Sequence, residues 1–131
     1  MIVDSSALIA VILNEEDEER YLRTLVSAPV LRMSAATWVE TWIVIDSKKN
    51  LHAEARFDDL TATLKIEIVP VTAEIAYRAR RAYRDFGRGN HRAKLNFGNC
   101  FSYALAKVQG EALLFKGNDF GQTDVEVALK P

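Results

Sequence analysis

The stretch MIVDSSALIAVIL, residues 1–13, decides the fold. Its first three residues are a short apolar run that ends at Asp4, which is typical of a buried strand. Ser5 and Ser6 then supply helix-capping side chains for an apolar helix at 7–13. The stretch therefore predicts a strand, a turn and a helix, with one carboxylate at the point where the strand ends.

The same alternation continues along the chain. Further strands are predicted at 30–33, 66–71 and 112–115, with an edge strand at 125–128. Helices are predicted at 16–26, 34–48, 51–64, 74–86 and 96–108, and a loop at 87–95. Short apolar strands that alternate with longer helices are typical of βαβ units. The predicted fold class is α/β, a three-layer α/β/α sandwich with a central parallel sheet.

Length and composition favour one globular domain over residues 1–131. The chain has 131 residues, 49% of them hydrophobic, and 6 glycines and 3 prolines, so no linker stands out. The uncharged stretch 5–14 is far short of the roughly 18 residues that a membrane span needs. The single cysteine, Cys100, excludes an intrachain disulfide and a cysteine-rich zinc site, and we interpret it as a small buried helix residue. A cytoplasmic protein is expected.

Charge is unevenly distributed although the net charge is only −1. Residues 14–20 are acidic, whereas 78–94 hold six arginines, a lysine and a histidine against the single acid Asp85. A loop within this basic stretch carries four side chains that can bind RNA phosphates: Arg88, His91, Arg92 and Lys94. The alternative is a solvated arginine-rich helix face.

Two acidic residues are candidates for a site in the first half of the chain. Ligands of open α/β sheets bind beyond the carboxyl ends of the strands, and Asp4 lies at such an end. Glu40 is the only charged residue between 34 and 45, so a buried carboxylate there needs a partner. The structural alternatives are a helix cap for Asp4 and a salt bridge to a residue such as Arg32 for Glu40.

The second half offers two more candidate positions. Asn96 is predicted to cap a helix in which Asn99 is the third residue, where the side chain points back toward the strand ends. An amide at 99 keeps an oxygen ligand but lacks the charge of a carboxylate. Asp119 follows the last strand in a turn, and Asp124 is a possible substitute. Each of these residues could instead be an ordinary helix or turn residue.

Four sequence motifs resemble those of the PIN-domain family, and specifically of VapC-type toxins from bacterial toxin–antitoxin pairs. They are MIVDSSAL at 1–8, Val39-Glu40, LNFGNCFSY at 95–103 and LFKGNDF at 114–120. The resemblance covers essentially the whole chain. The sequence departs from the family at Asn99, where the family has aspartate, either as a natural impairment or as a replacement that silences a toxic nuclease.

The resemblance implies a Mg²⁺- or Mn²⁺-dependent endoribonuclease. By that resemblance, the catalytic set is Asp4, Glu40, Asn99 and Asp119, in which Asp4 and Asn99 bind metal and Ser6 supports the pocket. Reduced activity is expected because Asn99 removes a charge. A non-catalytic RNA- or antitoxin-binding PIN module is the alternative.

The resemblance also implies partners: RNA, a VapB-type antitoxin and a second copy in a homodimer. The helices at 7–26 and 51–64 could offer the antitoxin an apolar groove. Trp38, Trp42 and Ile45 recur at helical spacing and are interpreted as core or interface residues rather than base-stacking platforms.

Overall fold

Four parallel strands form the centre of the protein in a computed structural model that describes residues 1–130. The strands are β1 (Ile2–Val3), β2 (Arg32–Ser34), β3 (Glu67–Val69) and β4 (Leu113–Leu114), in the spatial order β3-β2-β1-β4. Ile2 of β1 pairs with Arg32 on one side and with Leu113 on the other. The predicted parallel sheet is therefore confirmed, with strands shorter than the apolar runs that predicted them.

Six helices connect and cover the strands. They are α1 (Ser5–Ile12), α2 (Glu18–Ser27), α3 (Ala35–Ser47), α4 (Leu51–Leu64), α5 (Ala73–Phe86) and α6 (Phe97–Gln109), and a 3₁₀ turn follows at Phe120–Gln122. The predicted helices are all present, with ends displaced by a few residues. None of these helices has the combination of length and apolar character required to cross a membrane.

Two local predictions were wrong. The first helix begins at Ser5 rather than at 7, and neither serine is its cap. The alternative given for Asp4 is confirmed, because its carboxylate accepts a hydrogen bond from the Ser6 N–H as the helix cap. Asp4 is the cap because its backbone is extended, as in other cap residues, and because its carboxylate reaches the N–H of the second helical residue. The predicted edge strand at 125–128 is reduced to one bridge, between Leu113 and Val127.

Strands β1 and β4 each contribute to two separate apolar cores because successive side chains point to opposite faces of a sheet. Ile2 and Leu113 pack with residues of α5 and α6, whereas Val3 and Leu114 pack with residues of α1, α2, α3 and α4. Both faces are thus covered, and the predicted three-layer α/β/α fold is confirmed. The second core contains Ile45, and Trp38 and Trp42 pack beside it with their rings 5.9 and 5.4 Å from that of Phe57.

Candidate active site

Asp4 lies immediately beyond β1 and is 1% exposed. One of its carboxylate oxygens, Oδ2, accepts hydrogen bonds from the Ser6 N–H at 3.0 Å and from the Ser6 hydroxyl at 2.7 Å. The other, Oδ1, accepts from the Ser102 hydroxyl at 2.6 Å. Ser102 is itself 3.1 Å from the Thr37 hydroxyl, so α1, α3 and α6 all contribute to holding this carboxylate. Hydrogen bonds at both oxygens offset the cost of burying the charge.

Ser6 connects Asp4 to the turn that follows β4. Its hydroxyl donates to Asp4 and accepts from the Lys116 N–H at 3.0 Å. The predicted supporting residue therefore joins the carboxyl ends of two neighbouring strands, β1 and β4. Its contact with a turn 110 residues away along the chain aligns the first and last motifs.

Glu40 lies in the second turn of α3 and is half-buried. The Ser5 hydroxyl donates to its Oε1 at 2.9 Å. Burial raises the pKa of the Glu40 carboxyl, the hydrogen bond from Ser5 opposes that rise, and the charge of Asp4 adds to it. The alternative of a salt bridge to Arg32 is wrong, because Arg32 pairs with Glu67 and Glu111 instead.

Gly98 is the reason that Glu40 can approach α6. A Cβ atom at position 98 would lie 1.8 Å from Glu40 Oε2, which is far inside any contact distance. Because glycine has no side chain, the carboxylate fits against the first turn of α6, where free backbone N–H groups favour negative charge. A glycine in the third motif therefore brings the second and third motifs together.

Asn99 closes a capping box at the start of α6. The Asn99 N–H donates to Asn96 Oδ1 at 2.8 Å, and the Asn96 N–H donates back to Asn99 Oδ1 at 3.1 Å. The predicted cap at Asn96 is confirmed. The amide oxygen at 99 thus accepts from the backbone of its own helix, a role that a carboxylate could fill equally well.

Asp119 is exposed in the turn after β4, at the start of the 3₁₀ turn. Asp124, the possible substitute, lies elsewhere: it accepts from the Tyr103 hydroxyl at 2.5 Å and pairs with Lys107 at 3.1 Å. The hydrogen bond from Tyr103 is the main cause of a lowered Asp124 pKa, with Lys107 contributing in the same direction. Asp119 is therefore the acid that faces the other candidates.

All the predicted catalytic positions line one cavity of about 290 Å³, which we call the carboxylate cavity. Its lining includes Asp4, Ser6, Glu40, Asn99 and Asp119, together with Ser5, Asn96 and Lys116. The motifs that are distant in sequence thus meet at the carboxyl edge of the sheet. What each residue does there remains a prediction.

Sequence reasoning missed three contributors to this site: Ser5, Ser102 and Lys116. Ser102 lies three residues after Asn99 on the same helix, a spacing that puts both on one face and could have identified it. The Lys116 ammonium pairs with Asp17 at 2.7 Å and with Glu15, and these contacts raise the pKa of Lys116. No local signal identifies that partnership, because it joins the acidic stretch to a turn about 100 residues later.

The basic loop lies beside the carboxylate cavity rather than within it. Arg88, His91, Arg92 and Lys94 line a shallow surface depression that shares none of its residues with the carboxylate cavity. His91 is held in the loop by an edge-on contact with Phe86 and by accepting the Ala93 N–H at 3.0 Å. The four predicted RNA-binding side chains are thus grouped on one surface.

The chemistry of the donors fits a hard divalent cation. Carboxylate and amide oxygens are the ligands that Mg²⁺ prefers, and Mg²⁺ keeps several waters, so one or two carboxylates suffice. Within residues 1–130, no three His, Cys, Asp or Glu side chains are grouped closely enough to hold a metal ion by themselves. A cation in this cavity would therefore have few protein ligands, and Asp4 is the carboxylate with the most hydrogen bonds among them.

Comparison with known proteins identifies the family of this chain. The family model described as PIN domain matches residues 1–126, so the chain belongs to the PIN-domain family. Within that family it is of the VapC type: it is 48% identical over 130 residues to a Mycobacterium tuberculosis protein named Ribonuclease VapC28, covering 98% of each chain.

Solved structures agree with this fold. The crystal structure of Mycobacterium tuberculosis VapC20, described as a sarcin-ricin loop cleaving toxin, aligns with a TM-score of 0.78 and 20% identity over 99% of this chain and 98% of that one. A toxin–antitoxin complex from Klebsiella pneumoniae contains a chain that aligns with a TM-score of 0.72 and 20% identity, with the same coverage. At these identities the likeness concerns the fold.

Proposed function

We propose that the chain is a toxin-type, Mg²⁺- or Mn²⁺-dependent endoribonuclease whose activity is reduced by Asn99. The observation that carries the proposal is the convergence of Asp4, Glu40, Asn99 and Asp119 on one cavity from four different elements. The ribonuclease name of a relative that is 48% identical over nearly the whole chain supports the reaction class.

Asp4 is the proposed anchor of the metal, with position 99 as the second ligand. Asp4 is held at both carboxylate oxygens by hydroxyl groups, yet a carboxylate has about four lone pairs, so it can still coordinate an ion. When bound, the divalent ion supplies Lewis-acid activation of water and neutralisation of charge on the phosphate. Glu40, whose pKa is raised chiefly by burial, would serve as the group that exchanges a proton with an attacking water.

Asn99 accounts for the proposed reduction in activity. Its amide has no formal charge, and its oxygen already accepts the Asn96 N–H. An aspartate could make the same hydrogen bond and still offer a charged oxygen to a cation. These two properties favour, as a second candidate, a non-catalytic PIN module that keeps the fold and binds RNA or antitoxin without cleaving.

The partners we propose are RNA and a VapB-type antitoxin. The basic loop supports RNA binding, because Arg and Lys contacts to phosphate provide affinity that weakens steeply with salt. Support for an antitoxin comes from the VapC-type family and from the toxin–antitoxin complex among the structures of this fold. We also propose a homodimer and a cytoplasmic location, where RNA substrates are found, because of the resemblance to VapC-type toxins.

Reversion of position 99 tests the proposed function. We expect Asn99→Asp to increase Mg²⁺-dependent cleavage of RNA on the order of 100-fold, the size of effect typical of one preorganised electrostatic group. The measurement is single-turnover cleavage of a structured RNA, with and without excess EDTA, and growth arrest on expression with and without a candidate antitoxin.

Asn50→Asp is the matched control. Asn50 caps α4 by accepting the N–H groups of His52 and Ala53, so the same chemical change occurs at another helix cap outside the carboxylate cavity. It should leave cleavage unchanged. Absence of any gain in Asn99→Asp would contradict the account of position 99 and leave the non-catalytic module as the better description.

A further inference from the structure

A second and larger cavity, of about 540 Å³, opens between α5 and α6. Buried Ala79 and Cys100 line it at depth, and Phe101 is half-buried beside them. Two aromatic side chains lie at its mouth, Tyr83 with 43% and Phe97 with 77% of its surface exposed. We call this cavity the aromatic cleft. An apolar cavity bordered by exposed rings indicates a binding site for a flat apolar group.

The rings of the aromatic cleft are held in place. Phe97 contacts Phe101 edge to face, with ring centroids 4.9 Å apart and an angle of 79° between planes. Tyr83 packs against Gly87, where a Cβ atom would lie 2.9 Å from the ring, and its hydroxyl donates to the Arg88 carbonyl at 3.4 Å. Rings that are already fixed lose little conformational entropy when a ligand stacks on them.

The border of the aromatic cleft is positively charged. Arg80 and Arg88 both line it and are exposed. Within the part of the chain that the structure describes, neither Arg80 nor Arg88 forms an ion pair with a carboxylate. Arg88 also belongs to the depression formed by the basic loop, so the positive surface continues from the aromatic cleft into that loop. The ligand that fits is flat, apolar and attached to negative charge.

The aromatic cleft adjoins the carboxylate cavity. Asn96 lines both cavities, and Phe97 begins the helix whose third residue is Asn99. A polynucleotide strand with one phosphodiester at the carboxylate cavity would therefore bring a neighbouring nucleotide to the rings. Aromatic side chains in a basic groove are the usual means by which proteins bind single-stranded nucleic acid, because every base has a face that can stack.

We propose that the aromatic cleft is a nucleobase subsite, in which a base next to the scissile phosphodiester stacks on Phe97 and Tyr83 while Arg80 and Arg88 bind the adjoining phosphates. This inference rests on the proposed ribonuclease function and adds a means of recognising unpaired nucleotides. Stacking requires that the base leave its own helix, so the subsite selects single-stranded segments.

A second copy of the chain fits the aromatic cleft less well. Twofold contacts are isologous, so the same surface of each copy faces the other. The positive border formed by Arg80 and Arg88 would then face an equally positive surface, and like charges across an interface disfavour association. A polyanion meets no such cost.

The test is RNA binding measured without cleavage. Fluorescence anisotropy in EDTA would compare a short labelled single-stranded RNA with an abasic oligonucleotide of equal length, for the chain as given and for Phe97→Leu and Phe97→Tyr. Tyr77→Leu is the matched control, because Tyr77 is an aromatic residue of α5 that is 72% exposed and is outside the lining of the aromatic cleft.

We expect the chain to bind the RNA more tightly than the abasic oligonucleotide, and Phe97→Leu to weaken RNA binding about 10-fold and remove that preference. Phe97→Tyr and Tyr77→Leu should bind as the unchanged chain does. Equal binding of the two oligonucleotides, or no effect of Phe97→Leu, would overturn the subsite and leave the proposed nuclease intact.

Absence of binding to either oligonucleotide would overturn the subsite and RNA binding together, and cleavage by Asn99→Asp then decides the proposed function separately. A change in sedimentation of Phe97→Leu with no change in RNA binding would assign the aromatic cleft to contact between copies. Circular dichroism of each variant confirms that the fold is kept.

Discussion

The two sides of the carboxylate cavity are built differently. On one side, Asp4 is buried and held by Ser6 and Ser102, and Glu40 is fixed by Ser5 and the close approach of Gly98. On the other side, Asp119 is exposed in a turn and Asn99 is bonded to the start of its own helix. The first side is part of the folded core, whereas the second is fixed by local structure alone. Changes to the first side should therefore reduce stability as well as activity, and changes to the second should affect activity alone.

The largest effect on stability is expected at Gly98. Gly98→Ala places a Cβ atom on the Glu40 carboxylate, so either Glu40 or α6 must move, at a cost of about 2 to 3 kcal/mol. Urea denaturation measures this loss. Gly121→Ala is the matched control, because a Cβ atom there meets nothing within 4 Å.

A double-variant cycle identifies the cause of that loss. If Glu40 is the group that is displaced, Gly98→Ala should cost much less in a Glu40→Ala background, since the two residues are coupled only through contact. An equal loss of unfolding free energy in both backgrounds would show that Gly98→Ala disturbs α6 for another reason. The contact between Gly98 and Glu40 would then not be what fixes the first side.

A smaller loss is expected at Ser102, and comparison with Asp119 sharpens the contrast between the two sides. Ser102→Ala removes a donor from a buried carboxylate, which should cost about 1 to 3 kcal/mol in unfolding free energy. Asp119→Asn should change stability by less than about 0.5 kcal/mol, because its side chain is exposed.

Ser47→Ala, in which an exposed hydroxyl bonded to the Val44 carbonyl is removed, serves as the control for Ser102→Ala. In the Asn99→Asp background, Asp119→Asn should still reduce RNA cleavage. Equal losses of stability in Ser102→Ala and Asp119→Asn would contradict the distinction between the two sides.

A small effect that depends on pH is expected at Asp124, which belongs to neither side. Its pKa is lowered in the folded protein, chiefly by the Tyr103 hydroxyl, so the ionised carboxylate stabilises the fold. That contribution is present above the unfolded pKa of about 3.9 and is lost as the pH falls through the lower folded value. Asp124→Asn should therefore cost up to about 1 kcal/mol at pH 7, because the residue is largely exposed, and almost nothing near pH 2.

Urea denaturation of both proteins across this pH range measures the effect. Lys130→Gln is the control, because it also removes one charge but leaves the Tyr103–Asp124 contact unchanged. A difference between Asp124→Asn and the unchanged chain that stays constant down to pH 2 would contradict the stabilising role of the ionised form.

Much of the fold was predictable because its signals are local. Strands β1 and β4 are short apolar runs that are buried throughout, and each helix has a periodic apolar face or a recognisable cap such as Asn96. The site positions were predictable for a related reason: in a parallel sheet, residues that follow different strands meet at one edge. Asp4 and Asp119 illustrate this, since β1 and β4 are neighbours.

The parts that escaped prediction depend on contacts between distant segments. The approach of Gly98 to Glu40, the bond from Ser102 to Asp4 and the pairing of Lys116 with the acidic stretch all need three-dimensional packing. The sequence offered Asp4, Ser5 and Ser6 as possible helix caps. The extended backbone at Asp4, which makes it the cap, is visible only in the structure. The aromatic cleft was also missed, because Phe97 and Phe101 look like ordinary apolar positions of a helix.

The capping box at the start of α6 has a consequence for how this toxin can change over time. Asparagine and aspartate both satisfy a helix start, so exchanging one for the other at position 99 leaves folding nearly untouched. Under the proposed function, a single-nucleotide mutation at this codon would therefore change RNA cleavage while its gene still produced a well-folded protein.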